Sequence, residues 1–341
     1  MERMTDKLTS LLSEREVVLA DGAMGTSLFS LGLANGAAGE LWNVHHPEKV
    51  ASVHAGFVDA GSDIILTNSF GGNRCRLAFH DAADRVHEIN VAAARVACEV
   101  ASKANRLVVV AGSMGPTGEV LQPHGSFREA DAKAAFAEQA AALRDGGVDL
   151  AWIETMFSEE ELTAAVEAVE AVGLPYVLTM TFDSSGRTMM GIRPCDALIM
   201  SKAKNWRPVA FGANCGIGPA QLLDSVIGLV GAADPSDVIV AKGNCGTPTM
   251  GADMLPHYDG TPEIMADYAC LARDAGARII GGCCGTTPDH IKAMRSALET
   301  RPRGARPGHD EIERCLGPVK NTVTGEAGSR AQRERRRRRM S

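Results

Sequence analysis

Arg278-Ile279-Ile280-Gly281-Gly282-Cys283-Cys284-Gly285-Thr286-Thr287-Pro288 is the stretch on which the fold turns. It opens on a short apolar, β-branched run, the pattern of a buried strand. Two glycines, two thiols and a third glycine follow. Pro288 then sits where the first turn of a helix tolerates proline, directly after a threonine able to cap it. The piece reads as strand, chemically loaded loop and helix.

The same beat recurs upstream. Apolar runs at 17–20, 63–67, 107–111, 150–153, 176–181, 209–213, 238–241 and 278–281 give eight strand candidates. Alanine-rich helical stretches occupy 84–103, 131–145, 159–171, 220–230, 262–275 and 288–300; Ala134, Ala135, Phe136, Ala140 and Leu143 show the helical spacing. Strand–helix alternation repeated eight times predicts an α/β fold of the (β/α)8 TIM barrel type, spanning 1–300. An open doubly wound sheet would more often carry a GxGxxG or GxxxxGK[ST] turn, and none is present. From 301 onward Pro, Gly and Arg dominate, so 301–341 reads as a basic, partly disordered C-terminal extension.

Composition narrows the class. The 341 residues are 45% hydrophobic and 23% charged, as in an ordinary globular protein, and aromatics are scarce at 4%. No apolar run is long enough to span a membrane, and the first residues are polar and charged. A cytoplasmic setting is expected, where nine cysteines point to metal or catalysis rather than disulfides. The net charge of −7 is uneven: residues from 301 carry 12 Lys+Arg against 5 Asp+Glu, and the rest carry 23 against 37. The body is acidic and the extension basic.

In a barrel the chemistry sits at the C-terminal ends of the strands. Acids, amides and thiols fall there in order: Asp21-Gly22-Ala23-Met24-Gly25-Thr26, Thr67-Asn68-Ser69-Phe70, Gly112-Ser113-Met114-Gly115-Pro116, Glu154-Thr155, Asn214-Cys215-Gly216 and Gly243-Asn244-Cys245-Gly246, before the Cys283-Cys284 pair. Three thiolates with one open position suit a reactive zinc (Zn2+) site. Cys283 and Cys284 supply two, and either Cys215 or Cys245 the third, because their Asn-Cys-Gly contexts nearly match. A lone cysteine is more often a small core residue, and Cys75, Cys98, Cys195, Cys270 and Cys315 read that way. Asp21 and Glu154 can meet an ammonium group, although Asp21 could equally hold its turn. The loop from Gly112 and Ser113 offers backbone N–H groups to a carboxylate. Together these features suit an amino acid carrying a thiol.

This ordered set of motifs resembles the homocysteine S-methyltransferase family, which includes betaine–homocysteine methyltransferase and the homocysteine module of cobalamin-dependent methionine synthase. The resemblance runs from about Val17 to Thr300. It implies a zinc held by Cys215, Cys283 and Cys284, with Cys245 a neighbour. It also implies homocysteine contacts through Asp21, Glu154, Asn214 and the backbone at Gly112 and Ser113, and methionine as product. Betaine or a related onium donor is favoured: Trp42 resembles a tryptophan of the betaine branch, although Gly71 and Thr155 stand where that branch has tyrosines. Phe29, Phe157, Phe182 and Tyr258 are candidate replacements. The alternative is a stand-alone homocysteine module taking methyl from a corrinoid carried by a partner protein; S-methylmethionine is a third donor. A reading of a different class starts from the seven arginines among the last twelve residues, which could bind RNA or an acidic protein. A solvated tail is preferred, because no interleaved aromatics supply stacking.

Overall fold

Eight parallel strands carry the site: β1 (Val18–Leu19), β2 (Ile64–Leu66), β3 (Val109–Met114), β4 (Leu150–Met156), β5 (Tyr176–Met180), β6 (Ala210–Cys215), β7 (Ile239–Gly243) and β10 (Ile279–Gly282). Between the last two, β8 (Thr249–Met250) and β9 (Pro256–His257) form a small antiparallel hairpin. The computed structural model describes residues 7–251 and 254–319; the arginine run at 330–339 lies outside them.

Hydrogen-bonded order is β1-β10-β7-β6-β5-β4-β3-β2, and an Ala20–Ile64 bridge joins the two edge strands. The sheet is thus a (β/α)8 barrel. Every residue of these eight barrel strands but Thr155 and Cys215 is buried, as parallel strands covered on both faces require. Alternate side chains point inward. Val18, Ile64, Val109, Leu150, Val240 and Ile279 belong to one interior cluster. Two residues further along stand Ala20, Leu66, Ala111 and Trp152, still apolar. The next step up brings Ser113, Glu154, Asn214 and Lys242 to the mouth.

Helices surround the sheet, and their ends follow local chemistry. Thr261 accepts a hydrogen bond from the Ile264 N–H ahead of Pro262–Ala275, and Gly276 ends that helix at φ +115°. Ser158 caps Glu159–Val172 in the same way, through the Glu161 N–H. Helix Pro288–Thr300 begins as the sequence indicates, with Thr287 and His290 forming a reciprocal cap.

Four further helices carry weaker sequence signals. Lys7–Glu14 lies at the N-terminal end of the barrel, where Leu8 and Leu11 join the interior cluster. Pro47–Asp59 and Pro194–Ala203 complete the outer shell. His309–Leu316 buries Ile312 in the core outside the sheet, so part of the basic extension is packed.

Candidate functional site

At the C-terminal end of the barrel lies a cavity of about 370 Å³. Its lining includes Asp21, Ser113, Glu154, Lys242 and all three of Cys215, Cys283 and Cys284. Cys215 ends β6, while Cys283 and Cys284 follow β10. β7 runs between these two strands, so the three thiols converge across it. Their sulfur atoms all lie within 4.8 Å of one another. Three ligands on a tetrahedral zinc with bonds of about 2.3 Å would lie about 3.8 Å apart, so the cluster fits that ion.

The backbone is arranged for this meeting. Cys215 takes φ +64°, a conformation uncommon outside glycine, and Gly216 continues it at +75°. A side chain at Gly282 would collide with that of Thr286. Asn244 ties the two ends together: its Oδ1 accepts from the Cys284 N–H at 3.0 Å, and its Nδ2 donates to the Gly216 carbonyl at 2.5 Å and faces the Cys215 sulfur at 3.6 Å. The titration of the three thiols is collective. Hydrogen bonds from Cys283 and Cys284 hold Cys215 well below the usual thiol range, while that donation and burial push the other two up. Without a cation the cluster supports one thiolate and two thiols; a divalent ion would let all three ionise.

Cys245 is turned away. Its sulfur lies 3.0 Å from the Gly260 carbonyl and 3.1 Å from His290 Nε2, and burial pushes its thiol up to about 11. It is not part of the cluster.

Glu154 accepts from the Ser113 hydroxyl at 2.5 Å, and Asn214 Nδ2 approaches it at 3.5 Å. Burial pushes its carboxyl up to about 7. Asn214 also receives the Thr155 N–H and faces the Cys283 sulfur at 3.8 Å, linking the acid to the thiols. Asp21 is more fully engaged. Its Oδ2 accepts from the Leu66 N–H at 2.7 Å and its Oδ1 from Lys242 at 2.8 Å. Burial raises its carboxyl against the pull of that lysine.

Ser113 therefore lines the cavity, but Gly112 does not. Gly112 faces outward, where a Cβ would meet Leu143 at 3.0 Å. Trp42 is also outside the lining; its ring packs edge-on against His46 and carries the Lys49 ammonium at 4.4 Å. Phe29, Phe70 and Tyr258 line the cavity, Phe157 does not, and Phe182 is buried in the core. The residues missed in the sequence are Lys242 and, as a bridging amide, Asn244. A period-two count from Val240 would have found both.

A family model described as homocysteine S-methyltransferase matches residues 18–298. The methionine synthase of Mycobacterium leprae is 32% identical over 324 residues, covering 89% of this chain and 26% of that protein. The methionine synthase of Mycobacterium tuberculosis is 32% identical over 317 residues, with coverages of 88% and 26%. The chain thus spans about a quarter of the length of these curated relatives. Among solved structures, the Escherichia coli homocysteine methyltransferase MmuM in its metallated form superposes with a TM-score of 0.71 at 25% identity, covering 85% of this chain and 99% of that one.

Proposed function

The chain belongs to the homocysteine S-methyltransferase family, and on that premise we propose that it forms methionine by methyl transfer to the sulfur of homocysteine. The observation that carries this reading is the placement of three clustered thiols and the buried Glu154 on one cavity. Cys215, Cys283 and Cys284 would hold a zinc ion. When bound, it would supply the Lewis acidity that keeps a substrate thiol ionised at neutral pH.

The chain's own groups do the rest. Glu154 receives the substrate ammonium, fixed by the Ser113 hydroxyl and Asn214. Asn214 and Asn244 hold the strand ends that aim the thiols. The substrate sulfur then attacks the donor methyl in line; the new C–S bond forms as the bond to the donor heteroatom breaks, and its electron pair leaves with the donor. Alignment of donor and acceptor in the cavity supplies much of the acceleration.

For the donor we infer betaine or a related methylated onium compound. Phe29, Phe70 and Tyr258 give the cavity aromatic faces suited to such a cation. The second reading is a corrinoid on a partner protein, favoured by the likeness to methionine synthases over most of this chain but a quarter of theirs. A donor panel tests both: zinc-loaded protein and homocysteine are given betaine, dimethylsulfoniopropionate, S-methylmethionine or methylcobalamin, and methionine is measured. Methionine from an onium donor is expected; methionine from methylcobalamin alone would replace that reading with the corrinoid one.

A further inference from the structure

We propose that Glu40 is a specificity-determining residue for the methyl donor: its carboxylate receives the donor's onium cation beside the Phe70 ring. This rests on the onium reading of the donor and deepens it by naming the charged contact. Glu40 belongs to the 3-10 turn Gly39–Leu41 and lines the cavity. A methylated onium centre has no N–H to donate, so it needs no directed hydrogen bond. It needs a negative charge with spare capacity and aromatic faces around it. Glu40 has that capacity. Its Oε1 accepts from the Gly71 N–H at 2.7 Å, its one partner among the described residues, and no cation there lies within ion-pair distance. Asp21, by contrast, holds Lys242 and the Leu66 N–H, and Glu154 holds the Ser113 hydroxyl. On the homocysteine reading those two acids meet its amino group, and neither shares a hydrogen bond or ion pair with Glu40.

The turn that carries Glu40 is pinned. Asn68 Nδ2 donates to the Gly39 carbonyl at 2.8 Å and to Asn43 Oδ1 at 3.0 Å, and Asn43 Nδ2 returns a bond to the Asn68 carbonyl at 2.7 Å. Both amides are buried. Gly71 supplies the space: a Cβ there would meet Glu40 Oε1 at 2.9 Å, so a side chain at 71 would push the carboxylate off its N–H. The preceding residue, Phe70, sets its ring against Gly115, where any Cβ would collide with it, and its carbonyl accepts from the Gly115 N–H at 2.9 Å. Phe29, from helix Met24–Ser30, also lines the cavity. Charge and aromatic surface thus come from adjoining positions of one loop. As the methyl group leaves, the electron pair of its broken bond neutralises the onium centre. Glu40 therefore stabilises the bound donor more than the transition state, and its removal should raise the donor KM without lowering kcat.

The test is kinetic and uses the zinc-loaded full chain with homocysteine. Each onium donor is compared with the isostere that has carbon in place of the charged atom: betaine with 3,3-dimethylbutanoate, dimethylsulfoniopropionate with 4-methylpentanoate, S-methylmethionine with 2-amino-5-methylhexanoate. The readout is the inhibition constant of the isostere divided by the KM of its donor. A merely structural loss weakens both and leaves that ratio unmoved. Glu40→Gln keeps an acceptor for the Gly71 N–H and removes only the charge; it should lower the ratio about tenfold or more, with kcat within about threefold and the homocysteine KM unmoved. Glu40→Asp should recover part of the loss. Gly71→Ala, which displaces the carboxylate but leaves it in the chain, should lower the ratio in the same direction, and it carries the test if Glu40→Gln does not fold. An unmoved ratio in Glu40→Gln or in Gly71→Ala overturns the proposal, and so does a rise in the homocysteine KM in place of the donor KM. A wild type that uses an onium donor but shows these failures overturns this inference alone. One that makes methionine from none of the three donors overturns the onium reading with it.

Discussion

The two ends of the barrel each bury acid, and treat it differently. At the N-terminal end Asp63 is fully buried. Arg15 meets its Oδ1 at 2.6 Å, Arg295 and the Leu19 N–H meet its Oδ2, and Arg106 stands 3.5 Å away. Below it, helix Lys7–Glu14 fills the barrel with leucine. At the mouth Glu154 is also buried, yet faces the cavity with few partners. The same residue class serves cohesion where it is saturated and, on the proposed reading, recognition where it is left with capacity.

That contrast is open to attack from both ends. The largest effect belongs to Cys283→Ala, which should lose bound zinc and lower methionine formation by at least ~10³-fold while secondary structure persists; zinc content and circular dichroism check this, and a variant that keeps metal and activity removes the thiol assignment. Glu154→Gln should raise the homocysteine KM by about 30-fold, equivalent to about 2 kcal/mol for a bond to a charged group. Because burial lifts Glu154 to about 7, its ionised form grows as pH rises through that value, and homocysteine affinity of the wild type should rise with it. For stability the sign is opposite: the folded state holds this proton more tightly than the unfolded chain, so ionising Glu154 between about 4.5 and 7 costs stability. Glu154→Gln should therefore melt no lower than wild type at pH 8.

Asp63→Asn, at the other end, should leave KM unaltered and cost about 3 kcal/mol, since it takes the shared anionic partner from the partly buried Arg295 and Arg106 and the more exposed Arg15. Denaturant titration separates the two variants. The last expectation concerns His54, buried in helix Pro47–Asp59 with both ring nitrogens lacking partners. Burial lowers it from 6.5 to about 4. The unfolded chain takes up that proton first, so stability should fall by about 3 kcal/mol as pH drops from about 6.5 to 4. His54→Leu should flatten that part of the acid-unfolding curve.

The barrel was legible because each strand begins on a β-branched or apolar run that no other element needs. Strand ends were less so. β3, β4 and β6 continue through Gly112-Ser113-Met114, Glu154-Thr155-Met156 and Asn214-Cys215; these residues have little strand preference, and pairing with neighbours overrides it. The thiol cluster was readable from Cys283-Cys284 at a strand end, because position in a barrel implies direction. Lys242 was not, since a lysine after Val-Ile-Val-Ala suggests solvent until its partner 221 residues away is known. Gly112 and Trp42 show the converse: a residue can lie close in sequence to the site and still face a helix or a neighbouring imidazole.

One contact sets a clock on the chain. Arg278 donates to the carbonyl of Leu12, 266 residues earlier, and to those of Arg15 and Glu16. The first helix therefore cannot be locked under the barrel until the last strand exists. At synthesis rates of roughly 5–20 residues per second, that is an interval of roughly 13–53 s. Throughout it, Leu8 and Leu11 have no barrel to fill.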